Sequence, residues 1–251
     1  MSIKFHIADG IATLAFDRLD KKNAITRAMY QSLSDGLTSA ANDKSVRAIV
    51  ITGEGGIFTA GNDVEEFLKY PPQPGDSHVT LFMNALRDAE KPVIASVSGM
   101  AIGIGTTLLM HCDLVYATEN ARFAMPFTQL GLCPEFASSC LFPRLAGYQR
   151  AAEKLLLGEA FAADEAVQMG LVNKAMPADA LPSFVAAQAA KLVALPTESL
   201  RITKQLMKKD FTAGVDAAMQ EELQHFMRLL KGSDAKEAFS AFLEKRKPVF
   251  G

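Results

Sequence analysis

A chain of 251 residues with 49% hydrophobic residues, 22% charged residues and a net charge of −2 has the apolar material for a sizeable core at an ordinary globular charge density. The near-neutral balance leaves no electrostatic footprint for nucleic acid and no stretch is long and apolar enough to cross a bilayer, so neither a nucleic acid nor a membrane is expected as a partner. Cys112, Cys133 and Cys140 show no C-x-x-C spacing and no histidine at zinc-ligand spacing, which argues against a disulfide framework or a structural metal and points to a reducing, cytoplasmic setting.

Along the chain, residues 3–16 alternate as two short strands broken at Asp9-Gly10, and residues 26–37 form a helical pattern with Thr26 as its cap. Residues 46–52 and 93–97 are too apolar for a strand with one wet face, the pattern of a sheet covered on both sides. Each leads into a glycine-bearing turn, Phe58-Thr59-Ala60-Gly61-Asn62-Asp63 and Ser98-Gly99-Met100-Ala101-Ile102-Gly103-Ile104-Gly105, and then into an apolar helical pattern. The first half is therefore a β-α alternation. Tyr70-Pro71-Pro72-Gln73-Pro74-Gly75-Asp76-Ser77 breaks all periodicity and reads as a loop, because helical pattern resumes at once. From Ser138 onward the pattern is almost wholly helical, at 151–157, 163–169, 181–195, 213–230 and 235–245. Phe226, Met227, Leu229 and Leu230 are more apolar surface than one stripe covers, so these helices form an appendage or pack on a neighbouring subunit. Residues 1–10 carry no basic segment followed by an apolar one and residues 248–251 no peroxisomal tripeptide, so no address other than the cytoplasm is expected.

The two turns carry the first chemical signal. Glycine lets backbone approach a ligand closely, and a helix start presents N–H groups without internal acceptors at the positive end of the dipole. Two such N–H groups from separate loops can hold one developing oxyanion; ordinary strand-to-helix turns have the same composition. Glu135 is the second signal. It sits in Leu132-Cys133-Pro134-Glu135-Phe136-Ala137, a run poor in charge, where an apolar setting raises a carboxyl pKa toward neutrality and suits a group that accepts and returns a proton. The alternative is that Glu135 caps the helix beginning near Ala137 and points to water. Gly103-x-Gly105 is not a dinucleotide fingerprint, since position 108 is leucine and no ribose-binding acid is suitably placed. His6, His78, His111 and His225 lack ligand partners, and His111, in an apolar helix, reads as a hydrogen-bonded core residue.

Together with Asp17-Arg18-Leu19-Asp20-Lys21-Lys22-Asn23-Ala24, Ala163-Asp164-Glu165-Ala166, Gly170-Leu171-Val172 and Ala241-Phe242-Leu243-Glu244-Lys245-Arg246-Lys247, the turns resemble the crotonase (enoyl-CoA hydratase/isomerase) superfamily in order and over nearly the whole chain. The resemblance implies an α/β fold, a spiral of ββα units over 1–195 with a C-terminal helical region, 196–251, used in trimerisation, as a homotrimer or a dimer of trimers. It implies acyl-CoA thioester substrates, coenzyme A being part of the substrate and no separate cofactor being needed. It places the oxyanion-hole N–H groups on Asn62 and Ile104, where one donor is typically worth about 3 to 4 kcal/mol of transition-state stabilisation; their side chains read otherwise as a helix cap and a core residue. The two glutamates of family hydratases fall on Thr107 and Phe127, neither of which can act as a base. The Pro134-Glu135 segment is similar instead to that of the peroxisomal-type Δ3,Δ2-enoyl-CoA isomerases, in which a single glutamate is the acid/base. The resemblance also sets Lys22, Ala24, Ala60 and Asp63 around the adenine and pantetheine, and Phe226, Phe242 and Lys245 at the far pocket, on the same or a neighbouring subunit. By themselves Lys245, Arg246 and Lys247 read as a basic helix end offsetting its dipole. Rival readings are another reaction on the same hole, hydration with one glutamate, thioester hydrolysis or decarboxylation, and a CoA-binding module without turnover. A buried Glu135 discriminates against the last of these.

Overall fold

The computed structural model describes residues 2–70 and 77–251. β1 (Ile3–Ala8) and β2 (Ile11–Phe16) form the expected hairpin, with Asp9 and Gly10 at positive φ (51° and 77°) as a two-residue turn requires. α1 (Arg27–Asn42) starts where Thr26 accepts the Met29 N–H at 3.3 Å and runs past the predicted end at Leu37. Its buried face, Met29, Tyr30, Leu33, Leu37 and Ala40, keeps the i, i+3, i+4 spacing of an amphipathic helix.

There follow β3 (Ala48–Gly53), α2 (Val64–Lys69), α3 (His78–Arg87), β4 (Val93–Val97), β5 (Met100–Ile102), α4 (Ile104–Thr107), β6 (Leu114–Thr118) and β7 (Arg122–Ala124). The second half holds α5 (Ser138–Ala146), α6 (Tyr148–Leu157), β8 (Phe161–Ala162), α7 (Ala163–Gln168), β9 (Lys174–Met176), α8 (Leu181–Ala194), α9 (Thr197–Leu230) and α10 (Ser233–Leu243). Of the predicted 70–77 loop, residues 71–76 lie outside the described residues.

The large sheet has the order β1-β2-β3-β4-β6-β9, parallel except at β1-β2, and a small sheet has the order β5-β7-β8. Successive units place one strand in the large sheet, one extended segment in the small layer, and then helix: β3 with Thr59, β4 with β5, and β6 with β7, Thr59 bridging Ala101 and Ala101 pairing with Phe123. This is the α/β spiral of ββα units that the resemblance implies. β3 and β4 are buried almost throughout, in keeping with their unbroken apolar runs.

The region after Ser138 is almost wholly helical, as expected, with only the short β8 and β9 between its helices; β5, β7 and β9 have three residues each, too few for alternation to register. Two expectations are corrected. The helix expected at 213–230 is one 34-residue helix from Thr197. Its first half exposes Ile202, Leu206 and Met207 and so carries no stripe of period 3.6, yet it is anchored by buried Lys204, whose Nζ reaches Asp113 Oδ2 at 2.6 Å and Lys91 O at 2.8 Å. Phe226, expected to need outside cover, is buried within the chain, its ring edge-on to Phe67 at 6.1 Å.

Candidate active site

Register brings the two turns together. The Thr59↔Ala101 bridge and the Ala101↔Phe123 pairing align the first turn, the second turn and the segment after β7, and Asn62, Ile104 and Pro126 line one cleft. The Thr59 N–H donates to Met100 O at 2.9 Å and the Ile102 N–H to Thr59 O at 3.1 Å. Close approach needs the glycines. At Gly61 (φ +85°) a Cβ would sit 2.7 Å from Ile102 O, and at Gly105 one would sit 2.5 Å from Thr59 Cγ2. Among the described residues the N–H groups of Asn62 and Ile104 have no protein acceptor, whereas nearly all buried backbone donors are paired. Two orphan donors on residues that line one cleft can hold one anionic oxygen.

The Asn62 side chain does not cap α2. Asp63 does, accepting the Glu66 N–H at 3.1 Å and an Arg18 Nη1–H at 2.7 Å. The Asn62 Oδ1 instead accepts from the hydroxyl of fully buried Tyr30 at 2.5 Å, which ties the first turn to α1. Ile104 is a core residue by its side chain, as expected. Thr107 and Phe127 are both buried, and the Thr107 hydroxyl donates to Ile104 O at 3.4 Å.

Glu135 enters from the opposite wall. Glu135 is half-buried, but its Oε1 is buried with no hydrogen-bond partner, and burial, followed by the charge of Glu222, pushes its pKa up to about 8. α5 follows Ala137 with no side-chain cap, so Glu135 does not serve as one. Phe136 and Ala137, the next two residues, are both left-handed (φ 59° and 55°), a conformation costing a non-glycine residue roughly 1–2 kcal/mol. Tertiary contacts hold them there. Neutral His111, its pKa pushed down by burial to about 3, stacks on the Phe136 ring at 3.8 Å and places Nε2 2.8 Å from Phe136 O; Glu222 accepts from the Ala137 N–H at 2.6 Å.

A cleft of about 740 Å³ runs from Ala60, Asn62 and Ile104 to Glu135 and out to Phe242, Arg246 and Lys247, and a second cavity of about 650 Å³ continues beyond Glu135 toward Asn84 and Gln220. Phe67, Glu135 and Phe226 border both. Glu135 is the one acidic residue on the first cleft's wall among the described residues. Of the residues expected around coenzyme A, Ala60, Phe226 and Phe242 line this cleft; Lys22, Ala24, Asp63 and Lys245 do not. Lys22 instead offers its carbonyl to the Ala60 N–H at 3.0 Å, Ala24 offers its own to Arg18, Asp63 is paired with Arg18, and the cations facing the cleft are Arg246 and Lys247. Tyr30 and Glu222 have no local sequence signal, because only packing brings a helix-face tyrosine and a mid-helix glutamate to this site.

The family model described as Enoyl-CoA hydratase/isomerase matches residues 6–251. Enoyl-CoA delta isomerase 2 of Rattus norvegicus is 36% identical over 243 residues, covering 94% of this chain, which spans only 62% of that relative's length. The 2,3-dehydroadipyl-CoA hydratase of Escherichia coli is 33% identical, over 96% of this chain and 94% of its own. The crystal structure of an enoyl-CoA hydratase/isomerase from Pseudoalteromonas atlantica superposes with a TM-score of 0.95 at 36% identity, covering 100% of both chains.

Proposed function

We propose that this chain, which belongs to the enoyl-CoA hydratase/isomerase family, is a Δ3,Δ2-enoyl-CoA isomerase that works with one glutamate and a backbone oxyanion hole. The thioester carbonyl lies between the N–H groups of Asn62 and Ile104. Glu135 takes a proton from C2; the electron pair passes into a dienolate whose oxygen the two N–H groups hold; Glu135 then returns the proton to C4 as the C3–C4 double bond moves to C2–C3. The thioester bond stays intact throughout: the coenzyme A portion extends out along the outer cleft past Phe242, with Arg246 and Lys247 beside its phosphates, and the acyl tail continues beyond Glu135 into the second cavity.

The observation that carries this reading is a single carboxyl, with its Oε1 buried and unpartnered, on the wall of the same cleft as two residues with unpartnered N–H groups, a cleft that holds no other acid among its described residues. A proton shuttle needs one base of near-neutral pKa, and an apolar wall protects the dienolate from water. Hydration needs a base for water as well, and Thr107 and Phe127 stand at the positions where family hydratases carry theirs. Incubation with a 3-enoyl-CoA, monitored for the conjugated 2-enoyl product beside a 2-enoyl-CoA hydration assay, tests it. Isomerisation exceeding hydration is expected, and strong hydration without isomerisation overturns it. For assembly the proposal is a homotrimer or a dimer of trimers, with exposed Leu206, Met207 and Leu156 as candidate contact surface. A stable monomer by light scattering at micromolar concentration refutes that.

A further inference from the structure

We propose that Glu222, reaching from α9, is a positioning residue that acts on the reaction through Glu135, fixing the turn that aims the Glu135 carboxyl and keeping a second negative charge beside it. This rests on the isomerase reading for its consequence in turnover, but not for the link between the two carboxyls.

The geometry is specific. Glu222 is buried mid-helix, at 7% exposure, and its carboxylate gathers three donors from the residues just after Glu135. Oε2 accepts the Ala137 N–H at 2.6 Å, while Oε1 accepts the Ser139 N–H at 2.9 Å and the Ser139 hydroxyl. The first of those N–H groups belongs to one of two successive left-handed residues, and the carbonyl of the other, Phe136, faces His111 Nε2 at 2.8 Å. The Glu135 carbonyl is itself held by the Ser138 N–H at 3.2 Å and the Ser138 hydroxyl at 2.7 Å. Strained backbone persists only where its surroundings over-determine it. Here the surroundings are a ring nitrogen on one side, a carboxylate on the other, and the start of α5 between them. Without Glu222 the Ala137 N–H loses its acceptor and the turn loses its reason to stay left-handed.

The same arrangement divides one proton between two acids. Burial raises the Glu222 carboxyl above its ordinary pKa too, but Glu222 has three donors that oppose this and Glu135 Oε1 has none, so the negative charge settles on Glu222 and the proton on Glu135. The other titratable or charged groups facing the pair do not change this. Tyr30, on α1, is pushed well above its ordinary pKa by burial and then by Glu135, and stays neutral; Cys133, raised to about 11 by burial and then by Glu222, stays a thiol. Glu221 adds negative charge beside Glu222 on α9. Arg87, at the far end of the second cavity, is occupied by Asp88 and Asp216, 2.7 Å and 3.1 Å away. Sequence alone gives no pointer to Glu222, which sits in a run of helix formers.

The test reads Glu135 directly. In protein with 13C-labelled glutamate side chains, the Glu135 carboxyl resonance, assigned by its loss in Glu135→Gln, is titrated in wild type and in Glu222→Gln. A fall in the Glu135 midpoint by about one pH unit is expected, with the rise of kcat/KM moving to lower pH by the same amount. An unchanged midpoint in folded Glu222→Gln overturns the proposal. If that variant does not fold, Ser139→Ala, which removes one donor from Glu222 and leaves both carboxyls in place, is expected to lower the midpoint by less; no movement there overturns it equally. A shifted midpoint in an enzyme that turns over no 3-enoyl-CoA leaves the Glu222 link standing and refutes the reaction instead.

Discussion

The two walls of the cleft are built in different ways. On one, Asn62 and Ile104 offer backbone N–H groups whose placement follows from glycines a few residues away and from the Thr59↔Ala101 register. On the other, Glu135 offers a side chain whose placement follows from His111, 24 residues upstream, and Glu222, 87 residues downstream, acting on two strained neighbours. A donor in the backbone tolerates many side chains, because its direction is fixed by φ, ψ and strand pairing. A carboxyl held on a strained turn tolerates few, and its placement is open to substitutions far away.

The largest expected effect falls on the carboxyl itself. Glu135→Gln keeps the shape and removes the base, so turnover drops by roughly two to four orders of magnitude with acyl-CoA affinity nearly unchanged. Retained isomerisation in the folded variant breaks the comparison outright. Because the unprotonated form is the base, wild-type kcat/KM should rise with pH and level off above about 8. Stability has the opposite sign. A carboxyl whose folded pKa lies above its ordinary value of 4.5 contributes stability that is full below that value and lost as pH rises through about 8, so Glu135→Gln should gain on wild type in melting temperature across that window.

Next comes the N–H of the second turn. Ile104→Pro deletes the donor at the first position of α4, where proline costs no intrahelical hydrogen bond, and should lower kcat by roughly 10²- to 10³-fold. Ile104→Ala, which truncates the same buried side chain and keeps the N–H, separates lost packing from lost chemistry. Wild-type turnover in Ile104→Pro assigns the donor elsewhere.

Smaller still is Tyr30→Phe, which leaves Asn62 Oδ1 without its donor. A buried acceptor left unpaired costs about 1–3 kcal/mol, so a lower melting temperature is expected with only a several-fold change in turnover. The smallest effects sharpen the contrast: Ile104→Val should be mild, and Glu65→Gln and Glu66→Gln, in the helix after the first turn but absent from the cleft wall, should leave kcat unchanged. A large loss in either glutamine variant reassigns the base.

Much of this was legible in the residues. Thr26 as a cap, the Asp9-Gly10 hairpin, the doubly covered β3 and β4 and the paired glycine turns follow from rules that act within a few residues, where a β-branched run, a hydroxyl or an absent Cβ decides the local backbone. Glu135 stood out by its apolar neighbours alone. What composition and periodicity could not give was the joining of distant parts: that α9 runs unbroken from Thr197 with half its length unmarked by any apolar stripe, that Tyr30 holds Asn62, and that Glu222 meets the turn after Glu135. Lys22, Ala24, Asp63 and Lys245 came by resemblance and lie off the cleft wall, while Arg246 and Lys247 line it. The division has a physical cause. Backbone conformation is settled by sterics and hydrogen bonds between chain neighbours, so the sequence by itself determined the two glycine turns, and the resemblance singled out Asn62 and Ile104 within them; burial and the pairing of charges depend on which surfaces the fold brings face to face, so only the tertiary structure decided how the turns meet and where the proton rests.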